Sequence, residues 1–325
     1  MIHGTTVDVL PISITSNNLG KQVVGNGTNL IMYATLGVGS LPLLEDILYI
    51  VIGNLRDDQA SLSEISLVSK SLMVLARRHL FRTITVQGVS TTHGFPEFKD
   101  HLSWSQQMSR FIQDVSLVGR LDVPRRTVCK PPLDYHLLGQ ILSNLPSLRR
   151  LKLENVTWRG KIDRDRDDSR VHDYSPTPLD NLSITSSCVW EESEGSTGRQ
   201  EVEDLLTLFS TIDTLRWNNV DIPGPGPGTN SPECQKMEIP SYLRVRSFVS
   251  TTDPYILEAI SKSGSLDTLK DVSLHWYDWE DLVAVGAFLR DIGQGIQDLS
   301  FTPSRYFLQS KEMRDHQYRL YRDSL

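Results

Sequence analysis

The sequence predicts an α/β protein in which a module of three helices precedes an irregular solenoid of strand-plus-helix repeats. Two observations carry this prediction. Residues 41–86 contain three successive amphipathic helical patterns, each with its own start or stop signal. After residue 111, short apolar runs recur every 24 to 36 residues, a spacing typical of solenoid proteins. A chain of 325 residues has ample length for both parts.

Composition and pattern divide the chain into four predicted segments. Residues 1–38 are rich in Gly, Asn, Ser and Thr, and we expect them to form a mostly disordered leader. Residues 39–86 form the helical module, and residues 87–301 form the repeat domain. Residues 302–325 are predicted to cover the open end of the last repeat, because a solenoid exposes its apolar face where the stack ends.

The helical module carries start signals at its first two helices. Pro42 is typical of a first helical position, and two acidic residues follow in the first turn, where the helix dipole favours carboxylates. Ser61 and Glu64 match a capping box at the start of the second helix. The third pattern ends at Leu80, and the alternating residues 81–86 predict a strand.

Each repeat begins with two apolar residues three positions apart, and in most repeats a third apolar residue follows two positions later. Alternate residues in the second half of this motif share a face, so we expect a strand there. The seven motifs begin at Ile112, Leu148, Leu179, Ile212, Val245, Leu269 and Ile296. Helical patterns cover residues 98–111, 133–145, 202–209, 255–260 and 281–292. The connections that lack apolar periodicity, and are predicted loops, are residues 159–178, 190–199 and 223–240.

Eleven residues of the helical module follow the pattern of a known family. They are Leu41, Pro42, Ile47, Leu55, Leu67, Val68, Lys70, Leu75, Ala76, Leu80 and Phe81. In this order and spacing the module resembles an F-box, with Ser69 where many members carry Cys. The repeats resemble the irregular leucine-rich repeats that follow many fungal F-boxes. They depart from that pattern in two ways. Asn155 lies one position before the place of the usual asparagine ladder, and the fourth and fifth repeats are degenerate.

The resemblance implies a substrate-receptor subunit of a Skp–cullin–F-box ubiquitin ligase, which is not itself an enzyme. The F-box would bind a Skp-family adaptor, and through it a cullin, while the repeats would hold an unknown target protein for ubiquitin-dependent degradation. The implied adaptor-binding residues are Pro42, Leu43, Ile47, Val51, Leu67, Val68 and Leu72. The alternatives are an F-box-like leucine-rich-repeat scaffold acting outside ubiquitin transfer and, from the enzyme class, a small hydrolase with a diverged nucleophile.

The predicted target-binding face follows from strand alternation. Residues between the apolar positions of a repeat point away from the core, toward the concave surface with which solenoids usually bind partners. Exposed Arg and Trp side chains are favoured anchors in such interfaces. The predicted face comprises Arg150, Lys152, Arg216, Asn218, Lys270, His275 and Trp276.

The sequence offers no motif for catalysis, for a metal or for a cofactor. The stretch from Asp163 to Asp168 begins like a calcium loop but lacks the glycine and the terminal glutamate that such a loop needs. A net charge of −7 argues against a nucleic-acid partner. Three widely separated cysteines and the lack of a secretory pattern near the N-terminus favour a cytoplasmic or nuclear location, and no apolar run is long enough for a membrane span.

Overall fold

The structure is a computed structural model, and it confirms the α/β class. It describes residues 42–88, 93–119, 131–160, 174–185, 189–190, 198–220, 240–251, 254–265, 267–276, 279–292 and 295–303. Within these ranges the chain forms nine helices and eleven strands, and none of those helices is long and apolar enough to cross a membrane. The chain divides into two compact units, Met1–Thr85 and Val86–Leu325.

The first unit contains three helices: α1 (Pro42–Asn54), α2 (Gln59–Val68) and α3 (Lys70–Leu80). Helix α1 begins at Pro42, as predicted. The capping prediction for α2 is wrong, because Asp58 caps the helix and Ser61 lies inside its first turn. The Asp58 carboxylate accepts hydrogen bonds from the backbone N–H of Ser61 (3.0 Å) and from its hydroxyl (2.6 Å). These two bonds lower the pKa of Asp58, so the cap is a charged carboxylate at the positive end of the helix.

A small apolar core holds the first unit together. Ile52 of α1, Leu62 of α2 and Ala76 of α3 are buried in one cluster. The half-buried side chains packed against it are Leu55, Ile65, Leu72, Leu75 and Leu80. Ser69 ends α2 and caps α3, and its hydroxyl accepts from the backbone N–H of Leu72. The turn between these two helices therefore depends on a single residue.

The second unit alternates strands and helices along the chain. Its helices are α4 (Phe95–Trp104), α5 (Gln106–Ser109), α6 (Tyr135–Ser143), α7 (Gly198–Thr207), α8 (Pro254–Lys262) and α9 (Trp279–Ile292). The strands of the main sheet are β1 (Thr83–Gly88), β2 (Asp114–Gly119), β4 (Arg150–Glu154), β6 (Thr177–Thr185), β8 (Phe209–Asn218), β9 (Arg244–Thr251), β10 (Asp271–Trp276) and β11 (Asp298–Pro303). The division between the two units falls within β1. A smaller sheet contains β3 (Pro132–Asp134), β5 (Thr157–Arg159) and β7 (Val189–Trp190).

The eight strands of the main sheet lie in chain order, β1-β2-β4-β6-β8-β9-β10-β11. Each of the seven sequence motifs forms one strand, and neighbouring motif strands pair in parallel from β2 to β11. The strand predicted at residues 81–86 is also present, displaced by two residues as β1. Alternation of apolar residues therefore predicted every strand of the main sheet.

Other boundaries differ from the prediction. The pattern at residues 98–111 forms two helices, α4 and α5, because the chain breaks at Ser105. Helix α7 begins at Gly198, inside a predicted loop, and ends before Phe209, which opens β8. Most of the three predicted loops, together with the leader and the segment after residue 303, lies outside the described residues.

The core of the second unit covers one side of the main sheet. Two rows of side chains run in register across the strands from β2 to β10 and are buried. The first row is Val115, Leu151, Leu182, Leu215, Phe248 and Val272, and the second is Leu117, Leu153, Ile184, Trp217, Ser250 and Leu274. Helix α9 packs on this side, since the ring centre of Phe288 lies 6.2 Å from that of Phe248. The positions between these rows are mostly polar and face the other side of the sheet.

Candidate functional site

The first candidate surface is apolar and belongs to the first unit. Helix α1 has apolar residues on two sides: Ile52 faces the core, while Ile47, Ile50 and Val51 are exposed at positions that share one face of a helix. Ile50 is 62% exposed. Large apolar side chains grouped on one exposed face of a helix are typical of an interaction site. The exposed side of α1 is therefore the side on which a partner would fit.

The other two helices add to this exposure. At the end of α2, Leu67 is 85% exposed and Val68 is 71% exposed, and Val74 of α3 is also exposed. The described part of the chain exposes eleven large apolar side chains, and seven of them lie in the first unit. We name these seven the apolar surface: Ile47, Tyr49, Ile50, Val51, Leu67, Val68 and Val74. Concentrated exposure of large apolar groups is typical of an interaction site.

The predicted adaptor-binding residues fall into three groups. Ile47, Val51, Leu67 and Val68 belong to the apolar surface. Leu72 packs against the core of the first unit instead. The remaining two, Pro42 and Leu43, are the first residues of α1, and their side chains lie outside those described.

Sequence reasoning missed three members of the apolar surface, namely Tyr49, Ile50 and Val74. A signal for Ile50 was present, because it lies one helical turn after Ile47. Tyr49 and Val74 had no such signal, since an apolar residue in a short helix is as compatible with a core position as with an exposed one.

Helix α3 has a basic side. Lys70, Arg77 and Arg78 are exposed along it. Burial lowers the pKa of His79, and the nearby charges of Arg82, Arg56 and Arg78 lower it further. The lowered pKa favours the neutral form of His79, so the positive charge of this helix comes from Lys70, Arg77 and Arg78.

The second candidate surface is the polar face of the main sheet. Two rows of residues alternate with the buried rows and run in register from β2 to β11. The first polar row is Asp114, Arg150, Asn181, Thr214, Ser247, Asp271 and Asp298. The second polar row is Ser116, Lys152, Ser183, Arg216, Val249, Ser273 and Ser300. We name these fourteen residues the polar face.

Positive charge lies on β4 and β8. Arg150 forms a bidentate ion pair with Asp114, in which both N–O distances are 2.5 Å. This hydrogen bonding raises the pKa of Arg150. Lys152 pairs with Glu154 at 2.7 Å. Arg216 is exposed and forms no ion pair with any described residue. Arg216 therefore carries the uncompensated positive charge of this part of the polar face.

Negative charge lies on β10 and β11. Asp271 and Asp298 are register partners on adjacent strands, and neither forms an ion pair within the described part of the chain. A shallow groove of about 230 Å³ opens there. Its lining comprises Ser247, Asp271, Val272, Ser273, Asp298, Leu299 and Ser300. The polar face thus has an uncompensated positive charge on β8, in the middle of the strand order, and two carboxylates on β10 and β11, at one end of it.

The structure places five of the seven predicted target-binding residues on the polar side of the main sheet. Arg150, Lys152 and Arg216 belong to the polar face, and Asn218 of β8 and His275 of β10 lie two positions after Arg216 and Ser273, on the same side. Lys270 precedes β10, and its carbonyl accepts from the backbone N–H groups of Gln297 (2.8 Å) and Asp298 (3.1 Å). Trp276 is the last residue of β10, and its side chain lies outside those described.

Sequence reasoning missed Asp271 and Asp298. In each motif two linking residues separate the first two apolar positions. In β4, β10 and β11 the strand begins at the second of these two linking residues. Asp271 therefore holds the place on β10 that Arg150 holds on β4, while Lys270 corresponds to Arg149. Aligning the motifs of β4 and β10 would have placed Asp271 on the polar face.

Among the described residues there is no group of three or more His, Cys, Asp or Glu side chains that could hold a metal ion. The acidic stretch from Asp163 to Asp168 lies outside those residues. Comparison of the sequence with protein-family models found no match, and comparison with curated proteins found none either.

Proposed function

We propose that this chain is the substrate-receptor subunit of a Skp–cullin–F-box ubiquitin ligase and performs no chemistry itself. The three helices of the first unit act as the F-box, and the second unit acts as an irregular leucine-rich-repeat solenoid. The observation that carries the proposal is the apolar surface, on which four of the seven residues implied by the F-box resemblance are exposed: Ile47, Val51, Leu67 and Val68.

Adaptor binding would use the hydrophobic effect. Leu67 and Val68 project from the end of α2, and Ile50 and Val51 project from α1, where water covers them in the free chain. Burying such side chains against the apolar faces of partner helices releases that water and stabilises the complex. Because Ile52 and Leu62 hold the core separately, the binding residues are not needed to keep the helices folded.

Strand order supports the repeat interpretation of the second unit. In a doubly wound α/β sheet the strand order reverses, and a ligand binds where it reverses. The main sheet here has no reversal among its described strands, because each new strand is added beside the previous one. Sequential addition of parallel strands with a helix in most connections is the arrangement of stacked repeats.

The proposed mechanism is tethering. The first unit would hold the adaptor, and the polar face of the second unit would hold the target protein. A target held in the same complex as the ubiquitin-loaded enzyme reacts at a high effective concentration, without any catalytic group in this chain.

Co-purification with a Skp-family adaptor tests the proposal. In the double variant Ile50→Asp/Leu67→Asp, two charges replace exposed apolar side chains, so we expect adaptor affinity to fall by about thirtyfold, as for loss of a binding hot spot. The matched control Gln59→Asp/Ser63→Asp adds the same charge at exposed polar positions of α2 and should bind like the wild type.

Two results would contradict the proposal. One is failure of the wild-type chain to bind the adaptor, and the other is equal binding by the double variant and its control. The wild-type complex should also contain a cullin. An adaptor complex that never contains a cullin would instead identify an F-box-like scaffold that acts outside ubiquitin transfer.

A further inference from the structure

We infer that the polar face binds an extended segment of the target protein that carries an acidic and a basic side chain four or five residues apart. The inference rests on the proposed function, which assigns target binding to the second unit. It adds the chemistry of the segment and the residues that recognise each of its charges.

The acidic side chain of the target would lie over β6. Lys152 on β4 and Arg216 on β8 are in the same polar row, with Ser183 of β6 between them. Two strand spacings separate the cations by about 10 Å, since neighbouring strands lie about 4.8 Å apart. Ser183 is small, so a carboxylate can enter between the two longer side chains. Arg216 is the stronger attraction, because Lys152 already pairs with Glu154.

The basic side chain of the target would lie in the groove between β10 and β11. Asp271 and Asp298 are directly opposite each other there, and like charges in that relation repel. A lysine or arginine between them removes the repulsion and forms two ion pairs. The serines around the carboxylates, Ser273 and Ser300 among them, leave room for its ammonium or guanidinium group.

Strand spacing sets the separation of the two charges in the target. At about 4.8 Å per strand, the groove lies about 12 Å from Arg216 and about 17 Å from the midpoint between Lys152 and Arg216. An extended chain advances about 3.3 Å per residue, so these distances correspond to four or five residues. Between Arg216 and the groove, the polar rows include Ser247 and Val249 of β9. These side chains are uncharged, so the backbone of the target segment can cross them.

The distribution of charge favours a peptide over other ligands. A simple anion would be held by Arg216 but would leave Asp271 and Asp298 facing each other. A nucleic acid would be repelled by those carboxylates and by the net charge of −7. A segment with both signs of charge complements both Arg216 and the carboxylates of Asp271 and Asp298.

Peptide selection on the full-length chain tests the inference. A displayed library of random peptides, each about twelve residues long so that it can span the polar face, should yield binders in which Asp or Glu and Lys or Arg are four or five positions apart. Each of the variants Arg216→Glu and Asp298→Lys should bind the selected peptides about fivefold more weakly, the upper end for an exposed ion pair. Reversing the opposing charge in the peptide should restore the affinity.

Matched controls come from helix α9. Arg290→Glu and Asp291→Lys make the same charge changes at exposed positions of the helix that packs on the opposite side of the sheet, and they should leave binding unchanged. Binding should also weaken when the ionic strength is raised to about 1 M, where the screening length falls to about 3 Å.

The inference is overturned if no peptide is enriched, if the binders lack the paired charges, or if Arg216→Glu and Asp298→Lys bind like the α9 controls. The adaptor assay depends on the first unit alone, so its result is independent of this one. Intact adaptor binding with a failed peptide selection would retain the proposed function and reject the recognition site.

Discussion

At the scale of single residues, Gly119 shows how closely neighbouring strand ends approach each other. It is the last residue of β2, and a Cβ atom at this position would overlap the backbone carbonyl of Asn155, just after β4. Backbone atoms cannot rotate away as a flexible side chain can. Position 119 therefore requires glycine because the two backbones lie too close for a Cβ atom, and not because of the conformational freedom of glycine.

Replacing Gly119 by alanine should destabilise the second unit. The added methyl group must push β2 and the turn after β4 apart, which we expect to cost about 1–3 kcal/mol, as for other overpacked sites. Urea denaturation of Gly119→Ala measures this cost. The control is Gly286→Ala in α9, where a Cβ meets nothing within 4 Å and should stabilise the helix by up to about 1 kcal/mol. Equal stabilities of the two variants would contradict the expected overlap.

Asn155 itself has a role that its place in the sequence motif did not reveal. It follows β4 with a φ of 54°, and Asn219 follows β8 with a φ of 51°. Asparagine enters this left-handed region more readily than most residues. The backbone N–H of Asn219 donates to the Thr251 hydroxyl at 2.7 Å, which ties the end of β8 to β9. Both asparagines therefore turn the chain as it leaves the sheet.

At the scale of elements, helix α6 depends on its N-terminal cap. The Asp134 side chain accepts a hydrogen bond of 2.7 Å from the backbone N–H of Leu137. Helix α6 buries Leu138, Ile141 and Leu142, so its start also fixes part of the core.

Asp134→Ala should lower the free energy of unfolding by about 1–2 kcal/mol, because it removes the acceptor that caps the first turn of α6. Asp134→Asn keeps an acceptor oxygen and should retain most of the stability. Thermal denaturation of both variants under the same conditions separates the two cases. If the asparagine variant is as unstable as the alanine variant, the cap bond is not the source of the stability.

The main sheet was predictable because each strand repeats a similar apolar alternation. Strands β3, β5 and β7 were not predicted, since two or three residues are too few to show a period. Their sheet is fixed by packing instead, as when the buried Trp158 of β5 donates its indole N–H to the carbonyl of Glu201 in α7 at 2.8 Å. The start of α2 was also ambiguous, because Asp58 and Ser61 are both good caps and only the observed bonds distinguish them.

The candidate surfaces were predictable in part for the same reason. Alternation placed Arg150, Lys152 and Arg216 on the polar face, but the motif alone did not show which of two linking residues enters the strand. Asp271 and Asp298 were missed for that reason. The exposed side of α1 was harder to predict, because the sequence does not show whether an apolar side chain packs against its own chain or against another protein.

At the scale of the whole molecule, the apolar surface of the first unit and the polar face of the second unit differ in kind. The first unit exposes large apolar side chains, whereas the polar face of the second unit carries charges and small hydroxyl groups. An apolar surface drives association with little regard to charge, while a charged surface selects among partners. This difference fits the proposal of a permanent adaptor on the first unit and exchangeable targets on the second.

The apolar surface should also govern how the free chain behaves in solution. Without a partner, exposed side chains such as Leu67 and Ile50 favour self-association and binding of the apolar dye ANS. The variant Ile50→Asp/Leu67→Asp should therefore scatter less light at high concentration and bind less dye than the control Gln59→Asp/Ser63→Asp. Its melting temperature should stay close to that of the control, because neither Ile50 nor Leu67 belongs to the core cluster of the first unit.

Adding the adaptor to the wild-type chain should produce the same fall in light scattering as the variant Ile50→Asp/Leu67→Asp. Both changes remove one apolar surface from water, the first by covering it and the second by making it polar. Equal scattering and dye binding by the variant and its control would show that other groups cause the association. The apolar surface would then not be the cause of self-association, and its proposed docking role would rest on the adaptor co-purification alone.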